Sequence, residues 1–174
     1  GQIPMYYNYN NTGRPATWIP SLDEIGVEAP QTSLGNTSFY LDSGIKPLFP
    51  FGYGLSYTTY EYSELTLSTS EMIMNDEITV RATIKNTGNR DGEEIVQLYI
   101  RDMVGSIIRP VKELKGFKKI ALKAGESQNV EFKLTKNDLS FFGQDMQFKA
   151  EPGEFKVWIG TNSVEGLEGG FVLK

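Results

Sequence analysis

Apolar and polar residues alternate along most of the chain after Tyr60, the period-two signature of strands that bury one face. The clearest run sets Ile78, Val80, Ala82 and Ile84 against Glu77, Thr79, Arg81, Thr83 and Lys85. Val96, Leu98 and Ile100 alternate with Gln97, Tyr99 and Arg101, and the stretch from Leu114 to Leu122 carries another apolar set. Val130, Phe132 and Leu134 repeat the pattern, as do Phe155, Val157 and Ile159, and Phe171 to Leu173 supplies a last short run. Between these runs lie Asn86-Thr87-Gly88-Asn89-Arg90-Asp91-Gly92, Lys123-Ala124-Gly125-Glu126 and Glu151-Pro152-Gly153. Their chemistry demands turns: glycine supplies positive φ, proline presets φ, and Asn or Asp bonds its own backbone.

Seven or eight short strands with this punctuation predict an all-β fold, a two-sheet antiparallel β-sandwich of the immunoglobulin or fibronectin III class over residues 60–174. The Cys-Trp-Cys spacing of antibody domains is missing, which favours the fibronectin III-like variant. No stretch of comparable length has helical periodicity. Residues 1–47 differ in kind: an apolar, tyrosine-rich start gives way to Pro, Gly, Ser, Thr and Asn with no sustained period. Such an arm cannot bury enough of its own surface to offset its ordering entropy, so it needs something to lie on. Three regions are therefore expected: an irregular arm (1–47), an aromatic and glycine-rich connection (48–59) and the sandwich (60–174).

Composition narrows the chemistry. A net charge of −5 disfavours a nucleic-acid surface, and the densest basic stretch, Lys112 to Lys123, alternates with apolar residues like a solvated strand face. No run approaches the roughly 20 apolar residues that span a bilayer. Cysteine and histidine are both absent, which removes disulfides, thiolate and imidazole metal sites, Ser-His-Asp and Cys-His triads and any histidine acid or base. Of the acids, Asp23, Glu24, Glu28 and Asp42 sit in the arm, but 22 acids in 174 residues make such proximity ordinary, and they are read as non-catalytic. Asp138 and Asp145 lack the dense Asp-x-Asp spacing of a calcium loop. Neither a cofactor nor a metal is expected. The sequons Asn10-Asn11-Thr12 and Asn36-Thr37-Ser38 are read as chance occurrences.

Aromatic residues alternate with glycines through Leu48-Phe49-Pro50-Phe51-Gly52-Tyr53-Gly54-Leu55-Ser56-Tyr57-Thr58. Glycine there lets the backbone pass close against a surface while the rings fill pockets, as in a linker clamped between packed domains. The run closely resembles the corresponding linker of glycoside hydrolase family 3, the β-glucosidase and β-xylosidase type. Gly1 to Tyr7 with Thr12-Gly13-Arg14-Pro15 resembles the last part of that family's α/β sandwich domain, and Phe39-Tyr40-Leu41-Asp42 the short segment before the linker. Asn86-Thr87-Gly88, Arg109 to Phe117 and Glu151 to Phe155 resemble its C-terminal fibronectin III-like domain.

The resemblance implies a retaining two-carboxylate mechanism in the longer enzyme, with an Asp nucleophile in an upstream barrel and a Glu acid and base. The family's Ser-Asp-Trp context does not occur here, and its Glu lies before the matched region, so no catalytic residue is assigned and this chain alone is expected to be inactive. The implied role is an accessory segment that stabilises the catalytic domains, periplasmic or secreted, with those domains as its partners and a β-glucoside or oligosaccharide reached only through them. Tyr6, Tyr7, Arg14, Trp18, Phe51, Tyr53 and Tyr57 are the candidate interdomain or cleft-edge contacts. Tyr9 is read with them, and Arg109 as bonding backbone or a carboxylate at a domain seam. Two other roles stay open. A carbohydrate-binding module would need a planar aromatic strip, for which Tyr99, Trp158 and Phe148 are the outward-facing candidates, although Trp158 is read as packed beneath the arm or linker. An interaction or oligomerisation domain is the other, with the orphaned arm as a route to self-association; the arm folds back, exchanges with a neighbour or stays protease-sensitive.

Overall fold

The computed structural model describes residues 27–28 and 47–174. Seven strands carry the architecture: β1 (Tyr60–Leu67), β3 (Glu77–Asn86), β4 (Gly92–Asp102), β5 (Glu113–Leu122), β6 (Ser127–Thr135), β9 (Gly153–Gly160) and β10 (Leu167–Leu173). Short elements fill the joints: β2 (Glu71–Met72), the one-turn helix α1 (Lys136–Leu139), β7 (Phe141–Phe142) and β8 (Phe148–Lys149). A three-stranded sheet in the order β1-β3-β6 faces a five-stranded sheet in the order β2-β10-β9-β4-β5, and β7 and β8 pair as a small hairpin.

The alternation sets the core. Ile78, Val80, Ala82 and Ile84 from β3 meet Val96, Leu98 and Ile100 from β4 and Phe155, Val157 and Ile159 from β9, all buried in one cluster. The Phe155 and Phe171 rings stack inside it, 5.4 Å between centroids and 11° from parallel. Burying each such side chain contributes roughly 1.5–3 kcal/mol, so the cluster drives the sheets together.

Two departures from strict expectation have local causes. The sandwich is not purely antiparallel, because β2 pairs with β10 in parallel through Glu71 and Met72 and places Met72 in the core. In β1 the apolar positions change parity, from Tyr60 and Tyr62 to Leu65 and Leu67, yet all four pack against the core. A bulge between Ser63 and Thr66, with Glu64 at φ 57°, absorbs the extra residue and keeps both halves of the strand facing inward.

Candidate functional site

Residues 48–59 meet the sandwich at two anchors. At the first, Tyr53 N donates to the Pro50 carbonyl at 3.0 Å, closing a turn whose third residue, Gly52, has φ +81°. The turn lies on the outer face of the five-stranded sheet. Ser163 N donates to the Phe51 carbonyl at 2.9 Å, and the Gln97 amide donates to the carbonyls of Gly52 at 3.1 Å and Thr161 at 2.5 Å. The Tyr99 hydroxyl donates to Gln97 Oε1 at 2.5 Å and stands 3.4 Å from the Phe51 carbonyl oxygen. A β-carbon on residue 52 would sit 2.1 Å from Gln97 Oε1 and 2.7 Å from the Tyr99 hydroxyl. Glycine is thus required twice, by its backbone angle and by the closeness of the strand beneath.

The second anchor is Asn86, with 0% of its surface exposed. Its amide donates to the carbonyls of Arg90 at 2.8 Å and Leu122 at 3.1 Å, while Oδ1 accepts from the Thr58 hydroxyl at 2.7 Å and Gly88 N at 3.1 Å. Thr87 N donates to the Thr59 carbonyl at 2.8 Å. A β-carbon at Gly88 would come within 2.1 Å of Thr58 Oγ1. The Asn-Thr-Gly turn therefore does more than reverse the chain: it clamps the end of the 48–59 segment.

The segment's side chains are left outside. Leu48, Phe49, Phe51, Tyr53, Leu55 and Tyr57 are all exposed, Tyr57 to 93%, and the Phe49 and Tyr53 rings lean on each other at 5.0 Å. Its backbone is hydrogen-bonded to the sandwich at both anchors, while its apolar side chains keep much of their surface exposed.

Beside the first anchor, Trp158 faces outward from β9 but is only 8% exposed. Lys112 Nζ lies 4.1 Å from the centre of its ring and donates to the Ser163 carbonyl at 2.8 Å, and the indole N–H donates to Glu168 at 2.9 Å. Burial pulls the Lys112 amine below its ordinary value, with Glu168 opposing. Burial likewise pushes the Tyr99 hydroxyl up to about 12, so it serves as a donor throughout the physiological range. Lys112, Ser163 and Phe51 form a polar chain from the 103–112 loop to the anchored segment.

A fibronectin type III-like domain model matches residues 94–163. The chain is 43% identical over 173 residues to a periplasmic β-glucosidase of Salmonella typhimurium, covering 99% of this chain and 21% of that protein. It is 48% identical over 160 residues to a putative β-xylosidase of Formosa agariphila, covering 92% and 21% respectively. The β-glucosidase of Listeria innocua, solved with glucose, superposes with a TM-score of 0.78 at 38% identity over 98% of this chain and 22% of that one. The chain belongs to the fibronectin type III-like segment of glycoside hydrolase family 3. It spans about a fifth of the length of these relatives.

Within this fibronectin III-like segment, Phe51, Tyr53 and Tyr57 lie together on the anchored stretch, whereas Tyr6, Tyr7, Tyr9, Arg14 and Trp18 fall outside the described residues. So do both sequons and Asp23, Glu24 and Asp42; Glu28 is exposed. Arg109 pairs with the Glu113 carboxylate and lies over the Phe141 ring at 4.0 Å. Asp138 accepts from the Thr135 backbone N–H at 2.7 Å at the start of α1, and Asp145 pairs with Lys149 at 2.5 Å. Of the three outward-facing aromatics, Tyr99 and Trp158 are buried and only Phe148 is exposed, beside Phe142 at 5.2 Å and 52°. These three form no planar strip. Lys112 lies over the Trp158 ring, and the arm expected above it falls outside the described residues.

Two buried acids were not singled out from the sequence. Glu94 accepts from the Tyr62 hydroxyl at 2.7 Å, and burial raises its carboxyl above the ordinary range. Asp102 accepts from Val104 N at 3.1 Å and is likewise raised by burial. Both extend the inward parity of Val96, Leu98 and Ile100 to the ends of β4, a signal visible in the sequence. Eight residues of extended strand separate them by about 26 Å, far beyond the spacing of a glycosidase acid pair.

Proposed function

We propose that this chain is a non-catalytic accessory segment of a β-glucosidase-type glycoside hydrolase, and that residues 48–59 are the linker through which its sandwich buttresses the catalytic domains. One observation carries this reading: the 48–59 backbone is pinned at Gly52 and Thr58 while its aromatic rings keep roughly half or more of their surface exposed. A connection that merely spanned two bodies would need no such seat. A seated backbone with exposed rings suits a segment that presents anchors to a second body. The relatives' names point to hydrolysis of β-linked glucosides or xylosides by the longer polypeptide, and the name of the Salmonella relative supports a periplasmic setting. Two raised acids at opposite ends of one strand support no hydrolytic site in the sandwich itself.

The test is release of nitrophenol from nitrophenyl β-glycosides by this chain and by the polypeptide extended N-terminally through the preceding domains. Hydrolysis by the extended protein alone is the expected result. Hydrolysis by the chain as it stands would overturn the reading.

A further inference from the structure

The apolar surface does not stop at the anchored segment. On β5, Phe117 is paired directly opposite Gln97, the residue that holds Gly52, and its side chain is 66% exposed on the same outer face. Ile95, two residues before Gln97, and Leu114, opposite Tyr99, are also exposed there. At the margin of the strip Lys119 bridges Glu93 at 2.6 Å. An apolar centre with a charged rim is the anatomy of a protein contact. The outer face of the three-stranded sheet is different, carrying the pairs Arg81–Glu131 and Glu77–Lys133.

We infer that Ile95, Leu114 and Phe117, together with the outward rings of residues 49–53, form the seat for the domain that precedes the linker in the same polypeptide. This rests on the accessory reading above and deepens it by naming the face and its occupant. Continuity favours that occupant, because the Gly52 turn is held on this face by Gln97, directly opposite Phe117, so whatever the linker carries lies next to the strip. Size favours it too. A strip of a few side chains falls below the roughly 800 Å² per partner of a stable bimolecular interface. A partner tethered by a short seated segment has an effective concentration of about millimolar, at which a small patch suffices. The relatives supply such a tether and body, since this chain matches about a fifth of their length.

The experiment uses the full polypeptide carrying Phe117→Asp, with Ile95→Ser as a second variant and Phe148→Ser, in the separate aromatic pair of the β7–β8 hairpin, as the comparison. Expected for the first two is roughly tenfold faster protease cleavage within residues 48–59, because opening of the contact sets the cleavable population. Separation of one thermal transition into two should accompany it, with Phe148→Ser behaving as the parent and the short chain's own melting unchanged by Phe117→Asp. Unchanged cleavage and a single transition in both seat variants would overturn the inference, as would uncoupling by Phe148→Ser alone. Self-association of the short chain that Phe117→Asp abolishes would also overturn it, pointing to a second copy as the occupant. None of these readouts is hydrolysis, so the accessory reading can fail or stand independently.

Discussion

The two sheets turn very different outer faces to their surroundings. On the three-stranded sheet, Arg81, Glu131, Glu77 and Lys133 cross-pair in water, and β3 alternates almost perfectly between buried and exposed positions. On the five-stranded sheet, β4 is buried at five consecutive positions from Val96 to Ile100, because Gln97 and Tyr99 lie under Phe51, Gly52 and Thr161. A sandwich needs only two layers to close its core. Among the described residues the third layer lies over the five-stranded sheet, where Gln97 and Tyr99 hold residues 51–52.

Removing the clamp should break this asymmetry most severely. Asn86→Ala deletes four hydrogen bonds and leaves the Leu122 carbonyl and the Thr58 hydroxyl without their partner. Unpaired buried polar groups cost about 1–3 kcal/mol each, so a loss of roughly 3 kcal/mol is expected in denaturant unfolding. A midpoint unchanged from the parent chain would show that the clamp is ornamental.

Gly52→Val should act next, and chiefly on the outer layer. A valine there meets Gln97 and Tyr99 and must hold a left-handed backbone, together worth roughly 2 kcal/mol. Detachment of the segment limits the penalty to the free energy of its seating. The expected signature is therefore rapid cleavage between residues 50 and 58 with the sandwich's own midpoint nearly retained. A protected segment in that variant would mean that the seat tolerates a side chain.

How much of this was legible follows from the same contrast. The three-stranded sheet could be read almost residue by residue, because Ile78 to Ile84 alternate where one face is wet. The five-stranded sheet could be read for its core, but Tyr99 and Trp158 look outward by parity and are buried by residues far away in sequence, Phe51 and Lys112. Parity reports a face, not what covers it. The aromatic and glycine run announced a close approach, and Gly52 makes one; its partner, Gln97, looked like any polar strand residue. Asn86 read as a turn former because a buried amide with four partners has no local signature. The parallel β2 pairing was equally hidden, since two residues are too few to show a period.

Glu94→Gln probes the inner surface behind the covered sheet. With its folded value raised above the ordinary 4.5, Glu94 favours folding when protonated, and that contribution is lost as pH rises through the raised value. Replacement by glutamine keeps an acceptor for the Tyr62 hydroxyl and removes the charge. The variant should therefore melt higher than the parent chain near pH 7, with the difference shrinking as pH falls toward 4.5. Tyr60 and Tyr62, the neighbouring ionisable groups, stay neutral across this window, both being raised from 10.0. A pH-independent difference would assign the effect to packing.

The smallest effect belongs to the wet face. Arg81→Ala removes the 2.7 Å contact with Glu131, and both side chains are largely solvent-exposed. Exposed pairs of this kind contribute little because water and salt screen them, so the melting temperature should move by no more than about a degree. The neighbouring bridge from Lys133 to Glu77 is built from separate side chains and should persist. The value of the measurement lies in its pairing with Gly52→Val: cleavage in the 48–59 segment should accelerate in the glycine variant and not in the arginine variant. Accelerated cleavage in Arg81→Ala would mean that the two outer faces communicate through the core, and the third layer would then be a property of the whole sandwich rather than of one sheet.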